Sequence, residues 1–217
     1  KAGYRHIDTA HAYQNELGVG TAVKESGLPR SEIWITSKLW PTDYASGNVE
    51  ESINKMLERL GTEYIDLVYL HQPVGDYMAG WRGLEAAVKA GKIRAIGLSN
   101  FDLSEERFND IIANAEIKPA IVQIELHPYA QRKAFREKCA EHNIAVEGWY
   151  PLGGAHGGND VLFADPVINE IAGRYGKTPA EIILRWHVQE GFSTIPGSRN
   201  EAHIRQNITV LNFTLSE

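Results

Sequence analysis

The stretch "GYRHIDTAHAYQNE", residues 3–16, decides how the rest of this chain is read. Gly3-Tyr4-Arg5-His6-Ile7-Asp8 reads as the end of a buried strand. A polar stretch follows at once and brings Asp8, His11, Tyr13 and Glu16 close together. A carboxylate and a phenol five residues apart, where a strand runs out, either cap a turn or meet over a substrate.

Outward from that stretch, short β-branched runs recur: "IWITSK" (33–38), "IDLVYLH" (65–71), "IRAIGLSN" (93–100), "AIVQIELH" (120–127), "AVEGWYP" (145–151) and "FSTIPG" (192–197). Between them lie segments with helical periodicity. "NVEESINKMLERLG" sets Val49, Ile53, Met56, Leu57 and Leu60 on one face, with Asn48 as N-cap and Gly61 just past the end. "GWRGLEAAVKAGK" (80–92) is a second such segment. "SEERFNDIIANA" starts a helix at Ser104, and "TPAEIILRWHVQEG" starts one at Thr178 with Pro179 as its first residue. Strand-to-strand spacing is roughly 25 to 32 residues through the sixth run, the size of a βα unit. Such alternation predicts a parallel sheet covered by helices. Seven strands are visible, and one βα unit before Lys1 would complete a (β/α)8 TIM barrel, a fold of about 250 residues. The expectation is a single α/β barrel domain over residues 1–217, lacking its first strand unit and a C-terminal loop. An open doubly wound sheet is the alternative, but no G-x-G-x-x-G follows an early strand, and "ELGVG" has the wrong spacing. The glycine-rich "PLGGAHGGND", in the longest interval between strands, is read as a mobile loop rather than a domain boundary.

Composition narrows the function. The chain has 217 residues, 43% hydrophobic and 23% charged, enough for one sizeable core. The formal net charge of −6, with no cluster of Lys or Arg, disfavours a nucleic-acid or anionic-membrane surface. The lone Cys139 forms no internal disulfide and fits a reducing compartment, hence the cytoplasm. No apolar run approaches the roughly 18 residues of a membrane span, and no signal peptide is visible. The sequence opens at Lys1 without an initiator Met, which reads as a piece of a longer protein.

Barrel chemistry sits at the C-terminal ends of strands. Here those ends read Asp8, Lys38, His71, Ser99-Asn100, Gln123 with Glu125 and His127, Trp149-Tyr150, and Ser198-Arg199, with Tyr13 in the loop after the first. Each has a plain structural explanation. Asp8 would cap a helix, Lys38 would snorkel from the rim, His71 would be a hydrogen-bonded core histidine, and Tyr13 would be a rim aromatic. "PGSR" would be a turn with a helix cap. One shared site accounts for the first four together. A phenol has a pKa near 10 and is a poor acid at neutral pH, but an ammonium a few ångströms away stabilises the phenolate. Lys38 serves that role for Tyr13, Asp8 is the counter-ion for Lys38, and His71 hydrogen-bonds a carbonyl oxygen beside the phenol. Such a set protonates an oxygen as negative charge develops on it. The electrons must come from a hydride-donating cofactor. Trp149 offers a flat face to a nicotinamide, Ser99, Asn100 and Gln123 suit a carboxamide, and Ser198 with Arg199 stand where barrels often bind phosphate.

These residues carry a resemblance to the aldo-keto reductase family. "GYRHIDTAHAYQNE" is similar to its Asp-Thr-Ala-x-x-Tyr-x-Asn-Glu signature. "ITSKLW" resembles its catalytic-lysine strand, "DLVYLHQP" its histidine strand and "IRAIGLSNF" its Ser-Asn-Phe strand. "VQIELHPY" and "WYPLG" fall where that family has its Gln and its ring-stacking aromatic. The resemblance covers nearly the whole chain. It implies an eight-stranded barrel and NADPH-dependent reduction of carbonyls. Tyr13 is then the proton donor, supported by Lys38 and Asp8, with His71 orienting the carbonyl and Trp40 lining the substrate pocket. Ser99, Asn100 and Gln123 would hold the carboxamide. Trp149 would stack on the nicotinamide; Trp there resembles the bacterial diketogluconate-reductase-like branch, where most relatives have Tyr. Leu152 and Gly153 would lie along the pyrophosphate. Gln206 and Asn207 match adenine-contacting positions.

The chain departs from the family's usual Ile-Pro-Lys-Ser. It reads Ile195-Pro196-Gly197-Ser198, and a later family Arg aligns with His203. Arg199 is the substitute for the 2′-phosphate, since a guanidinium suits phosphate geometry, and NADH becomes an alternative to NADPH. The expected partner is a small carbonyl substrate, bound by a monomer. Two other functions are weighed: a Schiff-base aldolase using Lys38, which the Asp8 counter-ion opposes, and a non-catalytic cofactor-sensing subunit on the same fold.

Overall fold

The computed structural model describes residues 2–45, 47–153 and 159–216. The stretch 154–158, at the centre of the predicted glycine-rich loop, lies outside the described residues. Two compact units divide the chain, Gly3–Val122 and Gln123–Glu217.

In the first unit, β1 (His6–Asp8), β2 (Trp34–Leu39), β3 (Ile65–Leu70) and β4 (Ile93–Ser99) run parallel in chain order. Asp8 is opposite Thr36, Lys38 opposite Tyr69, and Tyr69 opposite Gly97. This register aligns the C-terminal ends of all four strands. The crossovers are α1 (Glu16–Glu25), α2 (Pro41–Ala45), α3 (Val49–Leu60), α4 (Tyr77–Lys89) and α5 (Glu105–Asn114). β3 is buried at every position, as a strand covered on both faces must be. Against the strands pack Ile53, Met56 and Leu60 of α3, Trp81 and Leu84 of α4, and Phe108 and Ile111 of α5, all buried.

The predicted ends of α3 hold in part. Gly61 takes the left-handed φ of 61° and its N–H reaches back to Glu58 O, as a C-cap should. Asn48 does not cap with its side chain: its Nδ2 donates to the Glu51 carboxylate, a charge-assisted bond available one turn on. At the N-terminal end of β3, buried Asp66 is tied three ways. Arg30 Nη2 is 2.7 Å away, Arg94 Nη1 2.8 Å, and the Ile35 N–H donates at 3.0 Å. That cluster sits at the opposite end of the strand from His71.

The second unit carries β6 (Ala145–Trp149) and β7 (Ser193–Thr194), parallel, with Glu147 opposite Ser193. β5 (Ile121–Glu125) begins in the first unit and ends in the second. Among the described residues the second unit also carries the α-helices α6 (Lys133–Glu141), α7 (Asn159–Ala164), α8 (Pro166–Tyr175), α9 (Pro179–Gln189) and α10 (Glu201–Asn207). Asp165 and Thr178 cap α8 and α9, and Glu181 closes a full capping box at the latter. Leu162, Ile168 and Ile183 form a small core to which Leu152 and Phe163 are added. β7 is shorter than the predicted run because Pro196 cannot donate to a ladder. β1 is shorter than its run as well, although Arg5 O still accepts the Trp34 N–H at 2.7 Å.

Candidate active site

The polar residues at the C-terminal ends of β1 to β3 converge within the first unit. Lys38, fully buried near the end of β2, places its ammonium 2.5 Å from Asp8 Oδ1 and 3.0 Å from Thr9 O. A buried ammonium without a partner would be strongly disfavoured, and these two acceptors compensate it. The same Nζ stands 5.2 Å from the centroid of the Tyr13 ring. Tyr13 ends a short 3-10 turn, His11–Tyr13, and is 50% exposed, while the ammonium near its ring is dry.

His71 follows β3 directly. Its ring meets Tyr13 edge-on at 5.8 Å and Trp40 edge-on at 5.0 Å. It is buried, and its Nδ1 has no hydrogen-bond partner among the described residues. Burial first, and then the Lys38 charge, push the imidazole down to about 4. At neutral pH the ring is therefore uncharged and has a single N–H. It can donate one hydrogen bond to a carbonyl, while the acid must be another group. The backbone after it is pinned: Tyr44 Oη donates to Gln72 O at 2.8 Å, and Arg107 Nη1 donates to Pro73 O.

At the end of β4, Ser99 and Asn100 are buried. Asn100 adopts a left-handed φ of 64°, and its Nδ2 donates to His71 O at 2.9 Å and Ser99 Oγ at 3.2 Å. Its amide is thereby oriented with Oδ1 as the accepting end. In the second unit, Gln123 Nε2 donates to Glu147 Oε1 at 2.7 Å, and Ser193 Oγ donates to Glu147 Oε2 at 2.6 Å. A carboxylate only accepts, so Glu147 fixes the Gln123 amide the same way round, with Oε1 turned from it. Trp149 is half-buried, and its Nε1 is buried without a partner among the described residues. The first unit thus presents an oriented amide oxygen beside a hydroxyl, and the second an oriented amide oxygen and an indole N–H without a partner among the described residues.

The remaining expected contacts are placed as follows. Leu152 packs on the Leu162 cluster, and Gly153 has a φ of 89° that a side chain would strain. Ser198 Oγ accepts the Asn200 N–H at 3.1 Å, and Asn200 caps α10, so the turn-and-cap arrangement is present. Arg199 and His203 are exposed, and Arg199 makes no ion pair among the described residues. Gln206 Nε2 is taken by Thr178 Oγ1 at 3.2 Å and Glu181 Oε2 at 3.1 Å, tying α10 to the capping box of α9, and Asn207 is buried.

Two carboxylates were not singled out from sequence. Glu147 leaves a readable sign, a charge between Val146 and Gly148 in an apolar strand. Asp43 leaves none, because an acidic residue in the first turn after Pro41 is ordinary helix-start chemistry. Among the described residues no cluster suits a metal ion, and no helix is long and apolar enough to cross a membrane.

The Aldo/keto reductase family model matches residues 1–217. The chain belongs to the aldo/keto reductase family. It is 41% identical over its whole length to the 9,11-endoperoxide prostaglandin H2 reductase of Trypanosoma cruzi and 42% identical to the glyoxal reductase of Bacillus subtilis, spanning 76% of each. An aldo-keto reductase from a Medee basin deep-sea metagenome library superposes with a TM-score of 0.95 at 36% identity, over 100% of this chain and 79% of that one. A Bombyx mori aldo-keto reductase solved with NADP superposes at 0.91 and 34% identity, over 99% of this chain and 76% of that one. The fold is the family's α/β barrel fold, and the protein is an aldo/keto reductase-type oxidoreductase.

Proposed function

We propose that this aldo/keto reductase reduces aldehydes or ketones to alcohols with NADPH, and that Tyr13 gives the proton to the carbonyl oxygen. The observation that carries the proposal is the dry Lys38–Asp8 pair lying 5.2 Å under the Tyr13 ring, with the uncharged His71 ring 5.8 Å to its side. When bound, NADPH would supply the hydride for the carbonyl carbon. The residues of the chain do the rest. His71 donates its one N–H to the carbonyl oxygen and holds it beside the phenol. Tyr13 transfers its proton as charge grows on that oxygen, and the Lys38 ammonium stabilises the phenolate left behind. Asp8 keeps the ammonium in place. Tyr13 is half exposed and recovers its proton from water.

For the cofactor, Ser99 and Asn100 in the first unit, and Gln123 in the second, each offer a group that a carboxamide would hydrogen-bond: a hydroxyl and two amide oxygens turned from their donors. Within the second unit, Trp149 would stack on the ring, Leu152 and Gly153 would follow the pyrophosphate, and Ser198, Arg199, His203, Gln206 and Asn207 would serve the adenosine end. Trp40 lines the substrate pocket. The Schiff-base alternative is disfavoured by the same Lys38–Asp8 pair, because a lysine held as ammonium has no lone pair for attack. A cytoplasmic location fits the lone free Cys139, and the family resemblance implies a monomer; cell fractionation and sedimentation test the two.

The deciding experiment is turnover of a panel of aldehydes, ketones and keto sugars by the full protein, with NADPH and NADH compared. Carbonyl-dependent oxidation of NADPH is expected. Its absence across the panel, with the cofactor bound, would overturn the proposal and favour a cofactor-sensing role.

A further inference from the structure

One carboxylate oxygen ties together two of the loops that frame this site. Asp43 lies in the first turn of α2 and is buried. Its Oδ2 accepts the backbone N–H of Trp40 at 2.7 Å and meets His11 Nδ1 at 2.8 Å. His11 opens the 3-10 turn that Tyr13 closes, and Trp40 is the first residue after β2. Asp43 therefore couples the segment bearing the phenol to the segment bearing the indole. Both rings stand edge-on to His71. The next residue, Tyr44, pins the third loop through Gln72 O, beside His71. Two consecutive side chains of a five-residue helix thus brace the loops after β1, β2 and β3.

We propose that Asp43 is a positioning residue that sets the Trp40 wall of the carbonyl pocket and thereby the enzyme's discrimination between bulky and small carbonyl substrates. The proposal rests on the carbonyl-reductase function given above. The physical reason is the connectivity. Without the carboxylate, the Trp40 N–H loses its acceptor and the indole loses its fixed angle to His71. A bulky aromatic aldehyde is the substrate that needs a fixed indole; a two-carbon dicarbonyl reaches little beyond His71 and Tyr13. The cofactor residues make none of these contacts.

The test uses the full protein with 4-nitrobenzaldehyde and glyoxal as probes. Asp43→Ala is expected to raise KM for the aromatic aldehyde about tenfold, while KM for glyoxal, kcat and NADPH affinity move less than about threefold. Asp43→Asn keeps an accepting oxygen and should restore the aromatic KM to within about threefold of wild type. In a Trp40→Ala background, Asp43→Ala should add nothing further, since the two act as one unit. An unchanged ratio of the two KM values, or an equal effect with and without Trp40, would overturn the proposal. A second readout needs neither turnover nor Asp43→Ala folding well. The acrylamide quenching of Trp40, taken as the difference between proteins with and without Trp40→Phe, should rise in Asp43→Ala and return in Asp43→Asn. In His11→Ala it should stay at the wild-type value, because Asp43 still holds the Trp40 N–H. If wild type reduced neither aldehyde, the function would fail, and the quenching comparison would still decide the role of Asp43.

Discussion

The Lys38 ammonium lies 2.5 Å from Asp8 Oδ1, and neither side chain is more than 9% exposed. Thirty residues separate them in sequence, so the pair is made by the β1–β2 register alone. Such a pair contributes little net stability, yet removing one member leaves a dry, uncompensated charge. Lys38→Met and Asp8→Asn are each expected to lower activity. Lys38→Met should also lower stability by about 3 kcal/mol, and the double variant should be less destabilised than the sum of the two, as read by urea denaturation.

Replacing Tyr13 with Phe removes one oxygen and leaves the ring that packs on His71 and over Lys38. The expected loss in kcat is about a hundredfold to ten-thousandfold, the range for a general acid, with NADPH fluorescence quenching unchanged. Turnover that survived the change would assign the proton to another donor.

His71 is held at about 4 by burial and by Lys38, below its ordinary 6.5. A depressed histidine binds fewer protons folded than unfolded. Stability should therefore rise with pH from about 4 to 6.5 and level off above, the acid-side loss amounting to about 3 kcal/mol from this residue. Denaturation midpoints of wild type and His71→Gln, compared at pH 7.5 and pH 4.5, isolate that contribution. The gap between the two proteins should shift in favour of the variant as pH falls.

Asp66 supplies a control away from the chemistry. It accepts from Arg30, Arg94 and the Ile35 N–H at the N-terminal end of β3. Asp66→Ala leaves the buried Ile35 N–H without its acceptor and the Arg30 guanidinium, still bonded to Thr62 and two carbonyls, without its counter-ion, and should cost about 3 kcal/mol in unfolding free energy. The kcat of the folded protein should stay within about twofold, since barrel ends opposite the active site serve stability.

Arg199 is the exposed guanidinium two residues after Gly197, the position where the family commonly has lysine. If it takes the 2′-phosphate, Arg199→Gln should raise KM for NADPH about tenfold, equivalent to about 1.4 kcal/mol, and leave KM for NADH within about twofold. Equal shifts for the two cofactors would place the phosphate elsewhere.

The alternation of β-branched runs and amphipathic helices was legible in the residues, and so were the strand ends that carry Asp8, Lys38, His71 and Ser99-Asn100. Each follows from local periodicity, which reports whether a face is apolar. Helix α3 was readable to within a residue at either end for that reason. What its Asn48 would bond to was not readable, because an amide one turn from a carboxylate has two competing uses. Gln206 likewise matched an adenine position by sequence, while in the fold its Nε2 is engaged by the α9 capping box.

By itself, then, the order of residues along the chain determined the βα rhythm, the family and the set of groups at the strand ends. Only tertiary structure decided which of them face one another and in what charge state. The Asp43 carboxylate meets a histidine 32 residues away, Glu147 orients Gln123 from 24 residues away, and His71 is uncharged because it is dry and lies near an ammonium. Partner choice over such separations depends on strand register and burial, which are properties of the assembled sheet and its helices, and no local pattern of side chains encodes them.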